Sequence, residues 1–292
     1  MDAVALQMLI PTHIRFAANL SILFPELPLA ERPSAAAEAG FTRVESWWPF
    51  AGPTPPDHEI DEFTSSLEDS GVRLIALNCY AGDMASGDRG LVSHPSRIAE
   101  FRASIPTLLT VAERTGCELF NALYGQREAS VSPEEQDEVA LENLALCARS
   151  VATIGGKVLI EALARGENGA YPITTAEEAM SVVRRSRDRS GADNIQVLLD
   201  TYHLASNGDD AQTALVRYAD YVGHVQVADA PGRHEPGTGG FDFGRFFDLL
   251  EKVEYGGWVG LEYRPLISAE TSFEWLPWER RGRADLDRAE GR

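Results

Sequence analysis

The side chains of this chain best suited to act together chemically are Glu161, Asp200, Gln226 and Glu262. Glu161 and Asp200 end the apolar runs "KVLIE" and "IQVLLD", Glu262 ends "WVGLE", and Gln226 follows His224 by two in "HVQVAD", on the same face of a strand. Three carboxyl groups and an amide that interrupt apolar runs would repel one another and lose hydration unless a cation compensated them. Each has a plainer use alone. Asp200 can cap the turn that follows, Glu161 can pair with Arg165, Glu262 with Arg264, and Gln226 can bond strand backbone. Their joint occurrence points to a metal. An all-oxygen set suits a hard divalent ion, Mg2+ or Mn2+, better than zinc, which prefers nitrogen and sulfur.

Beyond Gln226 the chain turns to "ADAPGRHEPGTG", whose glycines and prolines fix a loop and present Arg233 and His234. Three carboxylates around a divalent ion leave about one net negative charge, so an anionic substrate needs a local cation. Arg233 can fork onto a carboxylate; its plainer use is a surface pair with Glu235. His203, three residues past Asp200, is placed to donate to a substrate oxygen, and its plainer use is as a satisfied structural histidine.

The elements that position these groups are eight short strand-like runs, at 14–20, 41–46, 72–78, 117–123, 157–163, 195–200, 224–229 and 258–263. Several are too continuously apolar for a half-exposed sheet and read as strands covered on both faces. Helical patterns lie between them, at 97–116, 133–155 and 243–257, with Ser132 as a start signal and Gly116, Gly155 and Gly191 as stops. Pro106 should kink or divide its helix. Eight alternations without a linker predict an α/β fold, a single (β/α)8 TIM barrel spanning 1–292 with a charged, loose tail from about 278. In such a barrel the ends of the strands form the active-site rim. The alternative, a doubly wound sheet, needs a phosphate-type glycine loop after the first strand, and "NLSILFPELP" is not one.

Bulk properties bound the function. With 44% hydrophobic and 24% charged residues the chain can build a large core. A net charge of -19 opposes nucleic-acid binding and anionic membranes. Cys79, Cys117 and Cys147 are odd in number and widely spaced, which predicts reduced, mostly buried thiols. An N-terminus without a basic or long apolar segment, and no later run of membrane-spanning length, predict a cytoplasmic protein.

The segments "RFAANLSILF", "LNCYAGDMASGDRG", "LIEALAR", "LLDTYH", "GHVQVADAPGRHEPGTG" and "GWVGLEYRP" together resemble the hydroxypyruvate isomerase family, within the xylose isomerase-like barrels that include ketose 3-epimerases. The resemblance runs from about Arg15 to Pro265. It implies that Glu161, Asp200, Gln226 and Glu262 bind the metal, that Glu161 and Glu262 are also the acid/base pair, and that His203 and Arg233 contact substrate. Gln226 is a mark of this family, since the sugar epimerases usually carry His there. Gly240 departs from the family's usual "GTGE", and "ESWWPF" departs from a Phe/Leu-rich version.

The implied reaction interconverts hydroxypyruvate and tartronate semialdehyde by removing a proton from C3 and delivering one to C2, through an enediolate that a metal would stabilise. Trp47, Trp48, Phe24 and Tyr80 are candidates to shield that intermediate, with plain packing as the other use of the two tryptophans. The partner is a small hydroxy or keto acid or a sugar. The order in which the glutamates act, and homo-oligomerisation, stay open. A 2-oxotetronate isomerase and a ketose 3-epimerase would use the same chemistry. A metal-dependent endonuclease fits poorly with six histidines and the acidic excess, and a non-catalytic sugar-binding relic would bind metal without exchanging substrate protons with solvent.

Overall fold

The computed structural model describes residues 3–282. Eight parallel strands close a barrel in chain order: β1 (Arg15–Asn19), β2 (Arg43–Ser46), β3 (Arg73–Asn78), β4 (Leu119–Asn121), β5 (Lys157–Glu161), β6 (Ile195–Asp200), β7 (Val222–Val227) and β8 (Trp258–Leu261). β8 pairs with β1, Phe16 opposite Val259 and Ala18 opposite Leu261. This closure gives the predicted α/β barrel and excludes the open, doubly wound sheet, which would leave two free edges.

The runs are apolar throughout because each strand packs inward on the barrel interior and outward on helices. β5 and β6 are buried along nearly their whole length. The expected runs overreach the strands where the chain leaves the ladder. The run 117–123 shrinks to Leu119–Asn121, because the residues beyond it bend into the loops that make the rim.

Helix boundaries follow their local chemistry. Ser132 accepts a bond from the Glu135 amide at the start of Pro133–Ala152, and Thr175 and Glu178 form a reciprocal cap on Ala176–Ser190. Gly116 and Gly191, in the left-handed region at φ 72° and 69°, close Ile98–Thr115 and Ala176–Ser190. Helix Ile98–Thr115 runs unbroken through Pro106, so of the expected kink or division the division does not occur. One missing N–H is tolerated by a helix whose face from Phe101 to Ala112 is buried.

Cys79, Cys117 and Cys147 are buried and free. No helix among the described residues is long and apolar enough to cross a membrane. Of the segment expected to be a loose tail, Trp278–Arg280 forms a short 3-10 turn, and Arg281 donates to the carbonyls of Ala39, Phe273 and Leu276. Residues 283–292 of that expectation lie outside the described residues.

Candidate active site

All eight strands carry a polar side chain at, or within one residue of, the same end of the barrel: Asn19, Glu45, Asn78, Asn121, Glu161, Asp200 and Gln226 within β1 to β7, and Glu262 one residue past β8. Parallel strands place these positions at one level. Asp200 is opposite Gln226 in register, and the carboxylates of Glu161, Asp200 and Glu262 each offer an oxygen within 4.8 Å of the others and of a ring nitrogen of His203. All are at least 95% buried.

Each carboxylate divides its oxygens. Glu161 accepts from Asn121 Nδ2 at 2.7 Å through Oε2, while its Oε1 has no hydrogen-bond partner. Asp200 Oδ1 caps the next helical turn by accepting from the His203 amide at 3.0 Å, and its Oδ2 is without a partner. The capping use and the site use therefore coexist on one side chain. Gln226 donates Nε2 to Glu45 Oε1 at 2.7 Å and leaves Oε1 unpartnered. Glu262 is held most fully: Oε1 accepts from Trp47 Nε1 at 2.6 Å and Asn19 Nδ2 at 3.3 Å, and Oε2 from Arg233 Nη2 at 2.6 Å. The alternative pairings do not form. Arg165 bonds Thr174, Glu235 accepts from the Leu266 amide, and Gln226 bonds no strand backbone.

Burial drives the electrostatics. Burial, then repulsion from Glu262 and Asp200, pushes the Glu161 carboxyl well above its ordinary range. Asp200 is pushed up to about 7 by burial, against the pull of Arg233. Glu262 is also raised by burial, with Arg233 opposing. Burial weakens the hold of Arg233 on its proton, but Glu262, Asp200 and Glu161 outweigh it and raise its pKa. One guanidinium thus faces a dry group of carboxyls that cannot all ionise without further positive charge. Three partnerless oxygens, on Glu161, Asp200 and Gln226, and a set made of carboxylates and an amide oxygen fit a hard divalent cation.

His203 occupies the same cluster in a different capacity. Its Nδ1 accepts from the Ala164 amide at 2.9 Å, so the ring proton of the neutral imidazole sits on Nε2, 3.6 Å from Glu161 Oε1. Burial and Arg233 hold its pKa well below the ordinary histidine value. Nε2 is then a donor facing the cluster, with no lone pair for a metal.

A cavity of about 570 Å³ opens above the cluster, lined by Glu161, His203, Glu262, Trp47 and three cations, Arg89, Arg233 and Arg264. Arg233 has φ 58°, a left-handed conformation costing on the order of 1 kcal/mol for a non-glycine residue. Its amide on Asp229 O and its carbonyl on the Arg264 amide hold it there. Asp229 ties down the loop, accepting from the amides of Ala230, Gly237, Gly239 and Phe241. A Cβ on Gly239 would lie 2.6 Å from Asp229 Oδ1.

Some expected residues lie elsewhere. His234 does not line the cavity; its Nδ1 bonds the Arg264 carbonyl at 2.8 Å and clips the loop to the exit of β8. The two tryptophans separate: Trp47 reaches Glu262, while Trp48 bonds Gly52 O and packs on Phe50 and Tyr80. Phe24 and Tyr80, considered as shields, do not line the cavity. Phe24 packs toward Phe273, and the Tyr80 hydroxyl bonds Glu100. A Cβ on Gly240 would meet the Ala230 carbonyl at 3.8 Å, an ordinary contact, and the residue borders a neighbouring cavity of about 770 Å³ shared with Tyr202, Arg233 and Arg264.

Asn19, Glu45, Asn121 and Arg89 were missed. Asn19 and Asn121 end a strand and Glu45 stands one residue before the end of β2, so the rule that selected Glu161 and Asp200 would have found them had it covered all eight strands. Arg89 lies in a loop and carries no such signal.

Comparison with known proteins agrees with this fold. The profile of the xylose isomerase-like TIM barrel family matches residues 33–277. A Streptomyces coelicolor protein provisionally named hydroxypyruvate isomerase is 49% identical over 90% of this chain and 95% of its own. Escherichia coli hydroxypyruvate isomerase is 32% identical over 90% and 98%, and a 2-oxo-tetronate isomerase of Cupriavidus necator is 32% identical over 90% and 97%. A crystal structure from Brucella melitensis, described as an AP endonuclease of family 2, superposes with a TM-score of 0.81 at 34% identity over 90% of this chain and 97% of that one.

Proposed function

The chain is an isomerase of the hydroxypyruvate isomerase family of xylose isomerase-like TIM barrels, and from that premise we propose that it interconverts hydroxypyruvate and tartronate semialdehyde, with Glu161 and Glu262 as acid and base. The observation that carries this reading is a dry carboxylate cluster with partnerless oxygens beneath a cavity rimmed by three arginines.

Glu161, Asp200, Gln226 and Glu262 would hold Mg2+ or Mn2+, which when bound supplies positive charge to vicinal substrate oxygens and so stabilises the enediolate. The remaining work belongs to the chain. One glutamate takes the proton from C3 and the other returns one to C2. Their surroundings differ: three donors hold both oxygens of Glu262, whereas Glu161 has a single donor, Asn121, on one of its oxygens. His203, neutral with its proton on Nε2, donates to a substrate oxygen. Arg233 neutralises Glu262 and touches the substrate beside it. Arg264 and Arg89 complete the anchor for the substrate carboxylate; Arg89 is held by Asn168 and by its own loop's carbonyls. His234 contributes by holding the loop. Trp47 and Leu163 keep water from the reacting carbons.

A 2-oxotetronate isomerase is the second reading, supported by equal 32% identity to relatives of both names and by the adjoining space beside Gly240. An endonuclease has less support, since among the described residues the buried cluster holds a single histidine and its ring is a donor. The test is to incubate hydroxypyruvate, 2-oxotetronate and a ketose separately with the protein in D2O, with Mn2+ or with chelator, and follow carbon-bound deuterium by NMR. Fastest exchange in hydroxypyruvate, abolished by chelator, is expected. Exchange in the ketose alone, or in none, would remove the proposal.

A further inference from the structure

Glu45 is a fourth buried carboxyl at the strand ends, 2% exposed, and neither Arg233 nor any substrate-facing surface reaches it. Its polar contacts are with side chains of the barrel interior: Oε1 accepts from Gln226 Nε2 at 2.7 Å and from Asn19 Nδ2 at 3.0 Å, and Oε2 lies 2.7 Å from His224 Nε2. Its placement is built into the sheet. The register between β2 and β3 slips at Val44/Glu45, skipping Ile75, and bulges of this kind re-aim side chains. On β8, Gly260 leaves the room the carboxylate occupies; a Cβ there would come 2.7 Å from the carboxyl carbon.

A side-chain amide has two ends of nearly equal size, and only its partners decide which end points where. A carboxylate oxygen facing Gln226 accepts and does not donate, so it draws the NH2 group to itself. The reversed amide would set two acceptors 2.7 Å apart and put an NH2 group where the buried, partnerless oxygen now stands. Asn19 carries the same influence onward, since its one NH2 group bridges Glu45 and Glu262. Resting on the reading that this cluster holds a divalent ion, we propose that Glu45 is the positioning residue that makes Gln226 an oxygen ligand, by fixing its amide orientation from behind.

The test is Mn2+ titration of the chelator-stripped protein, reading free Mn2+ by electron paramagnetic resonance, alongside thermal melts of the metal-free form. Glu45→Gln keeps the shape but lets position 45 meet Gln226 in either orientation. Its Mn2+ affinity should fall about 10- to 100-fold, with the metal-free melting temperature close to wild type. The exchange Glu45→Gln with Gln226→Glu puts the donor at 45 and a carboxylate at 226, which has no wrong end; affinity should return at least to wild type. Gly260→Ala, which displaces the carboxylate without changing charge, should weaken Mn2+ binding as well, and serves if Glu45→Gln does not fold. Unchanged affinity in Glu45→Gln or Gly260→Ala overturns the proposal, as does a loss that the exchanged pair, which keeps the total charge and has no wrong amide end at 226, fails to restore. Wild-type protein that binds no Mn2+ would instead sink the metal reading and take this inference with it.

Discussion

Two cavities of similar size lie at opposite ends of β3. One, about 570 Å³, sits over the strand ends among Glu161, His203, Arg233 and Glu262; the other, about 500 Å³, sits at the strand starts among Glu68, Arg73, Arg114 and Thr115. Both contain acids and bases. At the strand starts these are exposed, and Arg114 pairs with Asp61 in solvent, where such a pair contributes little. At the strand ends they are buried, opposed by one guanidinium, and left with partnerless oxygens. Desolvation of charge, not volume, separates a reaction site from a surface hollow.

Replacing the acids at the dry end tests this most severely. Glu161→Gln or Glu262→Gln should lower kcat by about 1,000-fold, with circular dichroism unchanged; near wild-type turnover in either would take that residue out of proton transfer. Arg233→Ala should follow. It strands a buried Glu262 oxygen, so a loss of about 3 kcal/mol in denaturant stability should accompany a fall in kcat. A change in KM alone would mean that Arg233 serves only the substrate.

Metal removal should come next, lowering stability by about 2.7 kcal/mol relative to protein at a hundredfold excess of metal over Kd. The metal-free form carries a pH signature. Asp200 is raised from 3.8 to about 7, so the folded state holds a proton that the unfolded chain has released. Stability should be full below about pH 4 and decline as pH rises through 7, and saturating Mn2+ should flatten the decline. Rising stability over that range would contradict the electrostatics described.

Gly239→Ala, which presses on Asp229 and the Ala230 carbonyl, should cost about 2 kcal/mol and raise KM by loosening the Arg233 loop. Arg114→Ala at the other cavity should change stability by less than about 0.5 kcal/mol and leave kcat unaltered. A large effect there would erase the contrast between the two ends.

Much of this was legible beforehand because it repeats with short periods. The strands at 157–161 and 195–200 announced themselves by unbroken apolar runs, and Glu161 and Asp200 by ending them. Glu45 and Asn19 carry the same strand-end signal as Glu161 and Asp200, but nothing local says that they meet Gln226 and Glu262 from across the barrel. His234 misled for the converse reason. It stands next to Arg233 in sequence, but the left-handed turn at Arg233 sends its ring to the Arg264 carbonyl.

By itself, the order of residues determined the eightfold alternation of strand and helix, the end of the barrel where polar groups gather, and the presence of carboxyl and amide groups there, since periodicity and burial preference act within a few residues. Only the closed barrel decided which oxygen of each donor is spent and which is free, that Arg233 serves Glu262, and that His203 offers a proton where a lone pair was equally available. Those choices depend on contacts between residues up to 243 positions apart, and they exist only once β8 has paired with β1.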